Sequence, residues 1–306
     1  MSATLVLRAL DGSSPLAFLA ALGTLRLAHL SKPGAGLRMG WERRGGFWRP
    51  KLSGLDGNEE ELCELLMQAP WAPIEKFRPL GRNLTVASKV FQPFVREAHR
   101  VATRQDRRAA DFAAAFGSEV CEDKKRDRIE YTDLCFITGS GHQDFLGTMD
   151  GLARSVTAAH IRDALFGNWR AERGLSMRWD PSDAAEYALR WEDPSSKGAF
   201  AVWGANRLAA EALPCFPAVP ANGRLQTTGF RFDRDSRWDE FTWPIWTPLA
   251  GFEVVRSLMS LAELQKDEPE REMLRAMGIE EIYRAQRVRI GQGANFKVSF
   301  RPARVV

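Results

Sequence analysis

Apolar and polar positions alternate along the chain in short blocks, and their spacing predicts a mixture of strands and helices. Thr4–Leu10 alternates as a strand does, whereas Pro15–Leu30 is apolar on most faces, as expected of a buried helix. Leu37–Trp41 and Phe47–Leu52 flank a turn that contains two glycines, which predicts a β-hairpin. The chain therefore begins with a strand, a core helix and a hairpin.

Two longer segments carry apolar residues at mainly helical spacing. The first covers Val86–Phe116 and the second covers Asp144–Phe166, and each is predicted to be one long helix. Shorter strands and helices follow, and Arg287–Ile290 with Phe296–Arg301 predicts a closing hairpin. Because strands and helices do not alternate steadily, the pattern indicates an α+β fold with mixed or antiparallel sheets and two long helices.

The chain is predicted to form two lobes. The weakest join lies at Gly167–Gly174, where the regular pattern lapses. We therefore expect an N-terminal α+β lobe over residues 1–166, which contains the basic helix, and a C-terminal α+β lobe over residues 167–306, which contains the basic terminal hairpin.

The amino-acid composition limits which ligands and partners the chain is expected to have. The 306 residues are 44% hydrophobic and 27% charged, with a formal net charge of +4, so phosphate contact is permitted but not required. The cysteines are widely spaced and the histidines lack metal-ligand spacing, so we expect no metal, no cofactor and reduced thiols in the cytoplasm. The apolar run Pro15–Leu30 is shorter than the roughly 20 residues that cross a bilayer, which predicts no membrane partner.

Arginines recur at near-helical spacing within the first predicted long helix. They are Arg96, Arg100, Arg104, Arg107 and Arg108. Steps of about four residues would place them on one stripe that the phosphates of a nucleic acid could follow. A solvated helix face is the alternative.

Two predicted hairpins also carry cations. Arg43 and Arg44 lie at the tip of the first hairpin, which could enter a duplex groove or form a solvated turn. Arg287, Arg289 and Lys297 lie in the terminal hairpin, where they could contact phosphate or simply guard an exposed sheet edge. All five are candidate nucleic-acid contacts.

Tryptophan is abundant, with ten in the chain. Most of these side chains are expected to fill the core. Trp41 and Trp48 flank the arginine-rich hairpin tip and are the better candidates for stacking on bases.

A glycine-rich loop, Gly139–Gln143, precedes the second predicted long helix. Free N–H groups at a helix N-terminus favour an anion, and Ser140, His142 and Gln143 add polar groups, so we predict an anion or RNA contact here. A structural cap is an alternative. Catalysis with Ser140 as nucleophile and His142 as base is a further alternative, although no GxSxG motif surrounds Ser140.

The predicted first strand is followed by the block Ser14-Pro15-Leu16-Ala17-Phe18-Leu19-Ala20-Ala21-Leu22-Gly23-Thr24-Leu25-Arg26-Leu27. This block resembles a helix that follows the first strand of type I-G (formerly I-U) CRISPR proteins. Further similar blocks are scattered over much of the chain and lie at Gly139–Gln143, Leu175–Pro181, Trp203–Ala209 and Phe241–Trp246.

This resemblance implies a non-catalytic large subunit of a Cascade surveillance complex. Such a subunit recognises the protospacer-adjacent motif, helps to open the duplex and recruits a helicase-nuclease. The implied partners are guide RNA, target double-stranded DNA, and backbone and small Cascade subunits. At 306 residues the chain is short for a large subunit. A nuclease or hydrolase that uses the Gly139–His142 loop, and a scaffold that binds only protein, are the alternatives.

Overall fold

The structure is a computed structural model that describes residues 4–55, 58–123, 125, 127–137, 144–182, 200–233, 238–290 and 297–306. Within them the α-helices are α1 (Pro15–Ser31), α2 (Glu59–Met67), α3 (Ser88–Arg100), α4 (Arg108–Phe116), α5 (Phe145–Ser155), α6 (Ala158–Phe166), α7 (Trp203–Ala210), α8 (Phe252–Met259) and α9 (Arg271–Ala276). Short 3₁₀ helices cover Ile74–Leu80, Leu213–Cys215 and Ala262–Gln265.

The strands are β1 (Leu5–Val6), β2 (Arg38–Arg44), β3 (Phe47–Ser53), β4 (Gly117–Asp123), β5 (Arg128–Tyr131), β6 (Glu172–Arg173), β7 (Phe200–Ala201), β8 (Ala218–Ala221), β9 (Arg224–Thr227), β10 (Phe230–Asp233), β11 (Trp238–Trp246), β12 (Ala250–Gly251), β13 (Ile279–Ile290), β14 (Lys297–Phe300) and β15 (Arg304–Val305). One sheet has the order β1-β3-β2-β12, and a second has the order β10-β11-β13-β14 with β15 also paired to β13. All described pairings are antiparallel. The predicted α+β class is therefore confirmed.

Helix α1 lies at the centre of the core. Ser14 accepts a hydrogen bond from the Ala17 N–H, and Pro15 occupies the first turn, so the sequence itself sets where the helix starts. The helix is buried from Pro15 to Ala28. The ring of Phe18 packs against Trp41 at 5.9 Å and against Trp243 at 5.7 Å between centroids. This aromatic cluster joins α1 to both larger sheets.

The prediction of two long helices is wrong, because each segment contains a helix start that the apolar spacing conceals. Between α3 and α4, the Asp106 N–H donates to the Thr103 side chain and the Arg108 N–H donates to the Asp106 carboxylate. These local bonds compete with helical ones and end the first helix at Arg100. Between α5 and α6, Thr157 and His160 form a reciprocal capping box that begins a new helix.

Elements of the two predicted lobes share a sheet and a core. Strand β12 pairs with β2 in the register Ala250↔Met39, and α1 packs closely on α7. The division at residue 166 stays a prediction, but the described contacts cross it in several places.

Candidate nucleic-acid interface

The tip of the β2–β3 hairpin presents two of the predicted arginines. Gly45 and Gly46 form the turn with φ of 59° and 86°, a left-handed backbone that suits a tight two-residue hairpin turn. Arg43 and Arg44 are exposed, and Arg44 lies 3.9 Å from Glu42. The tip is therefore a narrow, cationic projection.

Sequence reasoning missed an exposed aromatic side chain at the same tip. Phe47 keeps 49% of its surface exposed, and the guanidinium of Arg49 lies 4.7 Å from its ring centroid. A phenyl face that is accessible and flanked by cations can stack on a nucleobase. The exposed end position of Phe47, directly after two glycines, is the signal that could have identified it.

The two tryptophans predicted as stacking candidates are core residues. Trp41 is fully buried against Phe18 and Trp246, and Trp48 is buried and donates its indole N–H to Glu281 at 2.6 Å. Alternation along each strand directs these side chains to the face that α1 covers. They cannot reach a base without unfolding of the hairpin.

The five arginines of the predicted stripe do not share one helix. Arg96 and Arg100 lie at the end of α3, Arg104 lies in the connecting turn, and Arg107 and Arg108 lie at the start of α4. The prediction of a continuous helical stripe is therefore wrong, although Arg96, Arg100, Arg104 and Arg107 are all exposed. We call Arg96–Arg108 the arginine segment.

Three of these arginines have acidic neighbours in the same segment or just after it. Arg100 pairs with Glu97 at 2.7 Å, Arg107 with Asp111 at 2.8 Å, and Arg108 with Asp106 at 2.7 Å. The Arg108 hydrogen bond lowers the pKa of Asp106 to about 2. Exposed pairs of this kind contribute only about 0 to 1 kcal/mol and are screened by salt, so phosphate can replace the carboxylate.

The arginines of this segment differ in how readily their side chains can turn to a phosphate group. Arg108 also donates to the carbonyl of Trp71 at 2.9 Å and is partly buried, so it is held in place. Arg96 and Arg104 are exposed and make no ion pair with any residue that the structure describes. These two are the most accessible cations of the segment.

The terminal hairpin is confirmed as a β13–β14 pair, but one of its predicted phosphate contacts faces inward. Arg287 lies 3.4 Å from Asp133 and 3.5 Å from Asp239, donates to the carbonyl of Cys135, and stacks over Phe136. Its two Nη atoms have internal partners, which argues against a role for Arg287 at the interface. Arg289 is exposed and Lys297 is half-buried, and their contact with nucleic acid stays a prediction.

The glycine-rich loop with Ser140, His142 and Gln143 lies outside the described residues, as do Gly139 and Gly141. The anion contact and the catalytic alternative predicted there stay predictions. The structure describes the following helix, whose N-cap Asp144 accepts a hydrogen bond from Arg82 at 2.6 Å.

The carboxyl group of Asp133, which lies beside Arg287 and Asp239, is expected to make the free energy of unfolding depend on pH. Burial raises the pKa of Asp133 from 3.8 to about 6, and the neighbouring acids Asp239 and Glu130 act in the same direction, while Arg287 opposes them. The folded state therefore binds a proton more readily than the unfolded state, so the Asp133 contribution falls as the pH rises from about 4 to about 6.

We expect a pH difference between the wild type and an Asp133→Asn variant. Relative to that variant, the free energy of unfolding of the wild type should fall by up to about 3 kcal/mol between pH 4 and pH 7, since two pKa units correspond to about that amount. Urea unfolding at a series of pH values measures this difference. Parallel pH profiles for the two proteins would contradict the raised pKa.

No group of three or more His, Cys, Asp or Glu side chains suited to a metal ion occurs in the described ranges. Within the same ranges, no helix has the length and apolar character needed to cross a bilayer.

Comparison with known proteins gives no identification. No family model matches the chain, and neither a curated protein nor a solved structure matches it at a significant level.

Proposed function

We propose that the chain is a non-catalytic, cytoplasmic subunit of a type I CRISPR RNA-guided surveillance complex that contacts target DNA, guide RNA or both. In that role it takes part in recognition of the protospacer-adjacent motif and in duplex opening, together with backbone and small subunits and a transiently recruited helicase-nuclease. The assignment to this complex rests on the resemblance of several sequence blocks, above all Ser14–Leu27, to type I-G CRISPR proteins.

The single observation that supports nucleic-acid contact best is the exposure of the arginine segment. The range Arg96–Arg108 contains five arginines and only two acids, and four of those arginines are exposed. Guanidinium groups bind phosphate oxygens through paired, charge-assisted hydrogen bonds. Phosphate contacts of this kind supply affinity and position, whereas base contacts, for which the hairpin tip with Arg43 and Arg44 is the candidate, supply discrimination.

A salt titration tests the role of the arginine segment. The Arg96→Ala/Arg104→Ala double variant of the full chain should bind a labelled duplex more weakly than the wild type. The slope of log K against log salt should become shallower by about 1.8, since each lost phosphate contact removes about 0.9 from the slope. Fluorescence anisotropy between roughly 50 and 200 mM salt gives both quantities.

The matched control removes two exposed arginines from other surfaces. Arg170 lies in a loop and Arg275 on α9, and neither makes an ion pair in the part of the chain that the structure describes. The Arg170→Ala/Arg275→Ala variant has the same net charge as the test variant and should keep the wild-type slope. Equal slopes for all three proteins would remove the arginine segment from the interface.

A cleavage assay tests the non-catalytic role. If the wild type cleaves the labelled strand and the His142→Ala variant does not, the protein is a nuclease and that role is wrong.

A further inference from the structure

Three arginines surround one buried carboxylate in the sheet that contains β10, β11, β13 and β15. Glu240 on β11 is only 1% exposed. Its oxygens lie 3.1 Å from Arg231, 2.8 Å from Arg304 and 3.9 Å from Arg284. We call these four residues the Glu240 cluster.

Strand register brings the cluster together. Arg231 is the direct partner of Glu240 across β10 and β11, and Arg284 is the direct partner of Arg304 across β13 and β15. Like charges directly opposite each other on paired strands destabilise a sheet. The juxtaposition of Arg284 and Arg304 therefore requires negative charge nearby, and Glu240 supplies one charge for three cations.

A second acid, Asp267, contacts the cluster from the protein surface. Asp267 lies 2.5 Å from Arg231, but its side chain is 88% exposed. With Asp267 included, the cluster contains three positive and two negative charges. An exposed carboxylate gains little from such a pair, so it holds its place weakly against a competing anion.

Arg231 donates to Glu240, to the Gln265 carbonyl and to Asp267, and of these partners only the exposed Asp267 carboxylate can readily leave. Arg284 is fixed below, where it donates to the Thr242 side chain and to the carbonyls of Leu264 and Lys266. Arg304 is 62% exposed, and among the described residues it donates only to Glu240, through one Nη. Burial, and repulsion from Arg231 and Arg304, lower the pKa of Arg284 to about 10, consistent with uncompensated positive charge.

We propose that Arg231 and Arg304 bind a phosphate group at the exposed side of the cluster, in the position that the Asp267 carboxylate takes beside Arg231, with Arg284 providing positive charge behind them. A phosphate group suits the cluster better than a carboxylate, because its oxygens point in several directions and the guanidinium groups approach from different strands. The inference does not depend on the proposed function. Inorganic phosphate and the phosphodiester of a nucleic acid share the required chemistry.

The test measures phosphate binding by the full chain. Calorimetric titration with inorganic phosphate, against sodium chloride at equal ionic strength, should give saturable binding to the wild type. Arg304→Gln should weaken the affinity about tenfold, as expected for the loss of one charge-assisted contact. Arg301→Gln, which removes an exposed arginine three residues earlier, is the matched control and should bind as the wild type does.

A second variant keeps the test decisive if Arg304→Gln folds poorly. Asp267→Asn removes the competing carboxylate and should bind phosphate several-fold more tightly than the wild type. A parallel titration with a short DNA oligonucleotide that lacks terminal phosphates distinguishes the two sources: binding that depends on Arg304 indicates a phosphodiester, whereas binding of inorganic phosphate alone indicates a small anion. Absence of phosphate binding to the wild type, or equal affinities of Arg304→Gln and Arg301→Gln with no gain in Asp267→Asn, would overturn the proposal.

Discussion

A Glu211→Gln variant is expected to have a free energy of unfolding about 3 to 5 kcal/mol below that of the wild type. Glu211 is fully buried just after α7 and accepts hydrogen bonds from Arg26 at 2.9 Å and from Arg207 at 3.0 Å. It also accepts one from the backbone N–H of Ala72 at 2.8 Å. The substitution nearly keeps the volume of the side chain, but it removes the charge and replaces one acceptor oxygen by an NH2 donor, so two buried guanidinium groups lose their counter-ion.

The expected loss measures the cost of leaving two cations buried, not the net contribution of the ion pairs. The guanidinium of Arg26 lies over Phe112 and that of Arg207 lies over Trp71 at 4.2 Å, and neither ring can replace a full negative charge. Burial already lowers the pKa of Arg207, and Glu211 opposes that shift. Without Glu211, burial acts unopposed against the charged form of Arg207.

Urea unfolding followed by tryptophan fluorescence measures the effect. The control is Glu253→Gln, which removes the acid from the exposed pair with Arg256 at 3.2 Å. This change should alter the free energy of unfolding by less than about 1 kcal/mol. If both variants lose the same amount, Glu211 is not the counter-ion of a buried pair of arginines.

The second large effect concerns the crossing of α1 and α7. A Cβ atom at Gly23 would lie 1.8 Å from the carbonyl oxygen of Leu208, which is backbone and cannot rotate away. Gly23→Ala must therefore separate the two helices, and we expect it to cost about 3 kcal/mol or more, the upper range for overpacked cores. Thermal unfolding should show a correspondingly lower midpoint.

Gly147→Ala is the matched control within a helix. The nearest atom to a Cβ at Gly147 belongs to the exposed side chain of Arg82, at 3.1 Å, and this side chain can move. Alanine has the higher helix propensity, so this variant should be unchanged or more stable by up to about 1 kcal/mol. Equal destabilisation by the two substitutions would show that the helix crossing is not the cause.

The sequence predicts elements well where a local signal marks their ends. Helix α1 was expected to begin at Pro15 and does, because Ser14 and the proline define its first turn. The β2–β3 hairpin follows from its two glycines. The breaks at Thr103 and Thr157 were missed because an apolar stripe can continue across a change of helix, and only the side-chain bonds reveal the new start.

The direction of individual arginines could not be predicted from local spacing. Arg287 turns inward because Asp133 and Asp239 lie beside it, and Asp133 is 154 residues away in sequence. Arg26 meets Glu211 across 185 residues, and it occupies a helix that the sequence marks only as apolar. Arg96 and Arg104, in contrast, were identified from charge density alone, and no distant acid pairs with them among the residues that the structure describes.

The position of α1 has a consequence for synthesis of the chain. This helix is covered on all sides in the folded protein, yet Glu211, the partner of its Arg26, is translated 185 residues later. At about 5 to 20 residues per second, the ribosome needs roughly 10 to 40 s to supply that partner. Throughout this interval the nascent chain carries an apolar segment without its final cover, which makes this helix a natural substrate for chaperones that hold emerging polypeptides.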